Sequence, residues 1–316
     1  MSRKRFWVLG LIALVLVGGC MSLQEAAGRG DLEYVKFRLG LGANVNDRSI
    51  LARGVPPMHE AAANGQVEMV ELLLSRGAKV NLWSIEGNEI ALHHATGHGH
   101  IEVMEVLIAV GADLEQSGTR GNTPLSWAAA TGQIEAAKVL LAHGANVNGR
   151  VRGGWTALHE ACRFGQVEMV EYLILAGADV NADTDRGQRP LEVASGGQRL
   201  AVVKVLIAAG ADPQHSGTET NTALMSAAET GQMEMAKMLV EHGANVNDRG
   251  RAGWTALHLA CQTGRVKMVE YLISARADVN AETKDGWRPL DIASSRPKPE
   301  IVEILQRHGA KHRRRD

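Results

Sequence analysis

Nothing in this chain spells a catalytic motif. There is no Gly-x-Ser-x-Gly elbow, no Walker-type phosphate loop, no His-Glu-x-x-His and no dinucleotide fingerprint. His59-Glu60 and His159-Glu160 lack the second histidine that zinc hydrolysis needs four residues on. Charge of one sign is also lacking: 34 Lys and Arg stand against 35 Asp and Glu, a net −1, so the global footprint of a nucleic-acid binder is absent. Cysteine is scarce, at 3 in 316 residues: Cys20, Cys162 and Cys261. The apolar run Phe6–Val17 is 12 residues, too short to span a bilayer.

What is present is a phrase at a fixed interval. It reads GANVN at 42–46, GAKVN at 77–81, GADLE at 111–115, GANVN at 144–148, GADVN at 177–181, GADPQ at 210–214 and GANVN at 243–247, then RADVN at 276–280 and Gly309-Ala310. Successive starts lie 35, 34 and then six times 33 residues apart. A period of 20–50 residues means stacked supersecondary units rather than one closed core. A second phrase follows each first one, as in Thr123-Pro124-Leu125-Ser126-Trp127-Ala128, Thr156-Ala157-Leu158-His159-Glu160-Ala161 and Thr255-Ala256-Leu257-His258-Leu259-Ala260. Its Thr caps a helix and its Pro suits a first helical turn. A glycine break follows, then apolar residues at helical spacing such as Val167, Val170, Leu173 and Ile174. The Gly of the GADVN phrase ends that second helix.

Together the phrases resemble the ankyrin repeat, a 33-residue unit with a Thr-Pro-Leu-His-x-Ala signature. The resemblance covers residues 23 to 310. It implies an all-α solenoid of about nine helix-turn-helix units with β-hairpin-like finger loops. At ~8–10 Å per layer that would be a curved rod on the order of 80 Å long with one concave face. Residues 153–174 return at 252–273 and residues 121–133 at 220–232, both at an offset of 99, so three units have duplicated as a block. The expected organisation is a leader at 1–20, an N-terminal capping repeat at 21–54, seven repeats at 55–286, and a C-terminal capping repeat with a basic tail at 287–316. The first unit has Arg38 where later ones have Leu, and the last is expected to break its inner helix at Pro297 and Pro299.

The leader begins with Arg3, Lys4 and Arg5, continues through the apolar run and ends Val17-Gly18-Gly19-Cys20. That is the layout of a secretory signal. A Cys directly after two small residues resembles a bacterial lipobox, which implies acylation of Cys20. Met21 follows in place of the Asp that commonly retains such proteins in the inner membrane, so the outer membrane facing the periplasm is expected. Removal of the three basic residues leaves 31 basic against 35 acidic, a mature charge of about −4.

Cys162 and Cys261 sit three units apart, on the order of 25–30 Å at ~8–10 Å per layer. A disulfide needs Cα atoms within ~7 Å, so both read as small core residues. His93, His94, His98 and His100 form the densest ligand-like cluster, and His94 with His98, spaced i, i+4, is a candidate pair for zinc, nickel or copper. Against that, the resemblance makes His93 and His100 framework residues, along with His59, His159 and His258. No cofactor is expected.

The resemblance also implies that partners lie across finger tips and inner helices. The first two fingers are longer and carry apolar residues, Ile50, Leu51 and Val55 in one and Leu82, Trp83 and Ile85 in the other. Trp83 is a natural anchor, Trp being enriched at hot spots. Arg120, Arg150, Arg152, Arg186, Arg249 and Arg251 line later tips, among the acids Asp183, Asp185, Asp248, Glu282 and Asp285. Trp83, Ile85, Arg120, Arg152, Arg186 and Arg251 are therefore the expected contacts. The resulting reading is a monomeric, non-enzymatic adaptor in the bacterial envelope, with a protein partner, a lipid anchor and no nucleic acid. A periplasmic antagonist of a secreted toxin and an envelope metal binder are the alternatives.

Overall fold

The structure is a computed structural model, and it describes residues 21–48, 54–85, 87–118, 121–214, 221–295 and 298–313. Cys20, Arg120, Ile50 and Leu51 lie outside the described residues. Among the described residues there are eighteen α-helices and no strand. They alternate as inner and outer helices. The inner ones are α1 Leu23–Arg29, α3 Pro57–Ala63, α5 Ala91–His98, α7 Pro124–Thr131, α9 Ala157–Phe164, α11 Pro190–Gly196, α13 Ala223–Thr230, α15 Ala256–Thr263 and α17 Pro289–Ser295. The outer ones are α2 Leu32–Gly40, α4 Val67–Ser75, α6 Ile101–Ala109, α8 Ile134–Ala142, α10 Val167–Leu175, α12 Leu200–Ala208, α14 Met233–Glu241, α16 Val266–Ser274 and α18 Pro299–Arg307. No described helix is long and apolar enough to cross a membrane. The chain falls into two compact units: one runs to Ala128 and includes Glu135–Ala145, and the other holds Ala129–Ile134 and everything from Asn146.

The repeat explains the local structure residue by residue. Thr255 Oγ1 accepts from the His258 backbone N–H at 3.4 Å, and Thr222 Oγ1 from Met225 N–H at 3.2 Å, the N-cap contacts that a Thr at this place supplies. One leucine per outer helix, from Leu73 and Leu107 through Leu305, is fully shielded from solvent. Each such side chain contributes roughly 1.5–3 kcal/mol of burial. The Asn that closes the five-residue phrase is a clamp between repeats. Asn148 donates from Nδ2 to Gly177 O at 3.1 Å and accepts from Asp179 N–H at 2.8 Å; Asn46, Asn81, Asn181, Asn247 and Asn280 repeat this pattern. Such a clamp satisfies backbone groups that the end of a helix leaves open.

The two ends solve different problems. Arg38 stands where later units have leucine, and it is only half-buried. Its guanidinium donates to Tyr34 Oη at 2.9 Å and to Met21 O at 3.3 Å, and Tyr34 Oη donates to the same carbonyl at 2.8 Å. At the other end Pro299 does not break a helix, and Pro297 lies outside the described residues. The inner helix stops at Ser295, and Pro299 opens the outer helix at a first-turn position, where a missing N–H costs nothing. The tail closes that end: Arg313 lies over the Trp287 ring at 4.1 Å, and His312 Nδ1 pairs with Asp291 Oδ1 at 2.8 Å. The described fingers are tight turns without strand pairing: Thr184 N–H donates to Gln188 O at 2.9 Å, Gly187 N–H to Thr184 O at 2.8 Å and Gln188 N–H to Thr184 Oγ1 at 3.0 Å.

Arg276 takes the place of the phrase's glycine and keeps its left-handed backbone, φ 69°. Replacement of Arg276 by Gly is expected to raise stability by roughly 0.5–1 kcal/mol. Relief of a left-handed side chain is worth about 1–2 kcal/mol, and the freer unfolded chain returns about 0.4–1 of it. A urea midpoint that falls, at unchanged slope, would contradict this.

Candidate functional site

The recurrent histidines are struts. Nε2 of His59, His93, His159 and His258 donates to a carbonyl of the next unit, Glu89 O at 2.8 Å, Asn122 O at 3.0 Å, Gln188 O at 3.2 Å and Trp287 O at 3.1 Å. That leaves Nδ1 as an acceptor. In His159 and His258 it takes the hydroxyl of Thr156 or Thr255, each at 2.8 Å. In His59 the partner position is Pro56, with neither hydroxyl nor N–H, and Nδ1 has no hydrogen-bond partner. Burial holds these imidazoles neutral: His59 is pulled down to about 3 and His159 to about 4, with desolvation the leading cause in both. His100 belongs to a second set of struts. Its Nε2 donates to Ala63 O at 3.0 Å, as Gln166 Nε2 does to Ala130 O at 3.3 Å.

The candidate metal pair does not converge. His98 Nδ1 donates to the carbonyl of His94 at 2.9 Å, and its ring stacks on His100 at 6.0 Å. The His94 ring instead meets His59 edge-on at 5.3 Å, with Glu89 Oε2 3.5 Å from Nε2. Burial, followed by repulsion from His93 and His98, lowers its pKa to about 4. No group of three His, Cys, Asp or Glu among the described residues is placed to hold a metal ion. Cys162 and Cys261 are free and fully buried; burial pushes the Cys162 thiol up and the Cys261 thiol up to about 12, so neither is a nucleophile.

The surface expected to meet a partner is formed by fingers and inner helices. In the first unit Trp83 is 45% and Ile85 51% exposed, while Ser84 between them is buried. Arg48 lies over the Trp83 ring at 4.5 Å and donates to its carbonyl at 3.1 Å. Ile85 N–H donates to Gly54 O at 3.0 Å, so the apolar tip is fastened to the finger before it. In the second unit Arg152 and Arg251 each open a single 3₁₀ turn, Arg152–Gly154 and Arg251–Gly253, and they and Arg186 are exposed. Trp155, Trp254 and Trp287 are half-buried, as packing residues before the helix cap.

Two features escaped sequence reasoning. Arg189, only 19% exposed, bridges Asp183 at 3.1 Å and Asp212 at 3.3 Å, and Arg150 pairs with Asp185 at 3.1 Å. The Asp183–Arg189 spacing recurs 99 residues on as Glu282–Arg288, a signal that the duplicated block could have given. A groove of about 250 Å³ lies between finger and inner helix, bounded by Asn221, Arg251, Ala252, Trp254, Leu259 and Gln262. Ala252 there is left-handed, φ 56°, where the duplicate block has Gly153. No local pattern announced that opening.

A search of curated proteins returns no match to the chain. A family model described as ankyrin repeats (3 copies) matches it over residues 23–117, 92–184, 148–217, 175–250, 191–283 and 247–316. With that match and the repeated helix pairs of the described residues, the chain belongs to the ankyrin-repeat family.

Proposed function

We propose that this chain is a monomeric, non-enzymatic adaptor of the bacterial cell envelope, lipid-anchored at Cys20, that binds a protein through its finger and inner-helix surface. The observation that carries the recognition reading is the presentation of Trp83 and Ile85. Two large apolar side chains stand half exposed on a tip whose backbone is tied down at Gly54. A polar loop would serve a mere connector better, and a rigid aromatic anchor loses little entropy on binding. Arg152, Arg186 and Arg251 add exposed cations on the second unit, and Arg120 belongs to the same expected set of tips. The strut histidines His59, His93, His159 and His258 and the buried Cys162 and Cys261 are committed to the framework, which supports a binding rather than a catalytic role.

The anchoring reading rests on the leader sequence, which ends at Cys20 directly before the first repeat. The Met21 carbonyl, one residue past Cys20, is already held by Tyr34 and Arg38. A lipid on Cys20 would therefore sit directly against the first repeat. One experiment addresses both halves: metabolic palmitate labelling of wild type and C20A in a bacterial host, followed by crosslinked capture from envelope extract. Labelling is expected to require Cys20, and a captured protein is expected to be lost in a Trp83→Ala, Ile85→Ala chain. Labelling that persists in C20A rejects the anchor. A captured set unchanged by the double substitution rejects this face.

A further inference from the structure

We propose that the second unit binds an extended acidic segment of its protein partner, with carboxylates on Arg152, Arg186, Arg251 and Lys284 and an apolar side chain in the groove beside Trp254. This rests on the recognition reading above and names the chemistry of the partner.

The sequence intersperses acids among these tips, so charge balance alone shows little preference. The structure separates the acids from the cations. Asp183 and Asp212 are held by Arg189, Asp185 by Arg150, and Glu282 by the half-buried Arg288. Arg249 donates to the carbonyl of Glu282, and Asp248 accepts from Asn245 at 2.8 Å. The side chains of Arg152, Arg186, Arg251 and Lys284 are exposed and make no ion pair or hydrogen bond among the described residues; Asp285 is an exposed acid beside them.

Backbone bonds join the tips that carry these cations. Asp185 N–H donates to Gly153 O at 2.9 Å, which joins the tip bearing Arg152 to the tip bearing Arg186, and Lys284 N–H donates to Ala252 O at 2.9 Å, which joins the tip bearing Arg251 to the tip bearing Lys284. The tip containing Arg152 and the tip containing Arg251 are the duplicated positions, 99 residues apart. Three layers of ~8–10 Å separate them by roughly 25–30 Å. An extended peptide at ~3.3 Å per residue covers that with about nine residues.

The two copies differ where a side chain could enter. In the first, Arg163 lies over the Trp155 ring at 5.7 Å and Glu160 stands on the inner helix below. In the second those positions are Gln262 and Leu259, and the groove of about 250 Å³ opens beside Trp254. Trp254, Leu259 and Ala252 make its apolar part, and Arg251 is the cation on its rim, beside the neutral Asn221 and Gln262. A peptide can place acids at the cations and an apolar residue between them. A nucleic acid, charged at every unit, would also set charge against Asp248 and Asp285.

The test measures binding of the full chain, in neutral detergent, to a labelled twelve-residue Asp/Glu/Gly peptide with one central Leu. The comparison probes are its Asn/Gln counterpart, an oligonucleotide and anionic mixed micelles. The acidic peptide is expected to bind, with at least about a tenfold loss for the amide counterpart and for the R251A/K284A chain, and recovery in R251K. Binding should also fall with rising salt. Equal binding of the amide peptide, or no loss in R251A/K284A, overturns the proposal, as does preference for the oligonucleotide or the micelles. A partner captured by the wild type that the acidic peptide cannot displace leaves protein recognition standing and removes the acidic segment.

Discussion

Between pH 6.5 and 4.5, His59 and His159 together are expected to withdraw on the order of 5 kcal/mol of folding stability. Both are buried, both are neutral when folded, and their pKa values lie at about 3 and about 4 against an ordinary 6.5. The unfolded chain takes up a proton at each as the pH falls through 6.5, while the folded chain refuses it. Their contribution is thus fully present above pH 6.5 and is lost progressively below it. Two groups over two pH units, at about 1.4 kcal/mol per unit, give the figure. His93, His94 and His258 shift in the same direction and steepen the decline. Urea unfolding followed by circular dichroism at the two pH values checks it, and equal midpoints would refute it. A His159→Gln chain can still donate to Gln188 O but cannot titrate. It should show a shallower pH dependence even if it is less stable at pH 7.

A gain of about 3 kcal/mol is expected from Glu192→Gln at pH 8, with little gain at pH 5. Glu192 occupies the strut position that holds His159 and His258 in other units, and it is 2% exposed. Its Oε2 accepts from Arg189 N–H at 2.9 Å, while Oε1 has no hydrogen-bond partner. Burial raises its pKa from 4.5 to about 7, against the opposing pull of its backbone hydrogen bonds and Arg189. The folded chain therefore retains a proton that the unfolded chain has already released. The penalty is absent below pH 4.5, grows as the pH rises to 7 and is constant above, which at about 1.4 kcal/mol per unit gives the figure. Glutamine keeps the shape and acceptor and removes the charge. A gain of equal size at both pH values would show that packing rather than ionisation is responsible.

Much of the architecture was legible because each repeat is a local statement. Thr255 caps its own helix, Asn148 reaches only to the next unit, and Leu173 is buried whichever partner the surface holds. Pro299 starts the last outer helix instead of breaking the inner one, because proline is a breaker in a helix interior and a starter at a first turn, and a register one or two residues off exchanges the two. For the 94/98 histidine pair, i, i+4 spacing places two imidazoles on one face, while side-chain rotation turns the His98 ring to the His94 carbonyl and the His94 ring to His59.

The sequence by itself determined the ankyrin solenoid, the framework role of its strut histidines and of Cys162 and Cys261, and the exposed finger positions, because those follow from a period and from contacts between adjacent units. Only the tertiary structure decided which charges are spent. The pairing of Asp185 with Arg150 and of Asp183 and Asp212 with Arg189, and the opening beside Trp254, depend on side chains brought together across repeats. Composition counts those groups equally, whereas geometry leaves Arg152, Arg186, Arg251 and Lys284 available to a partner.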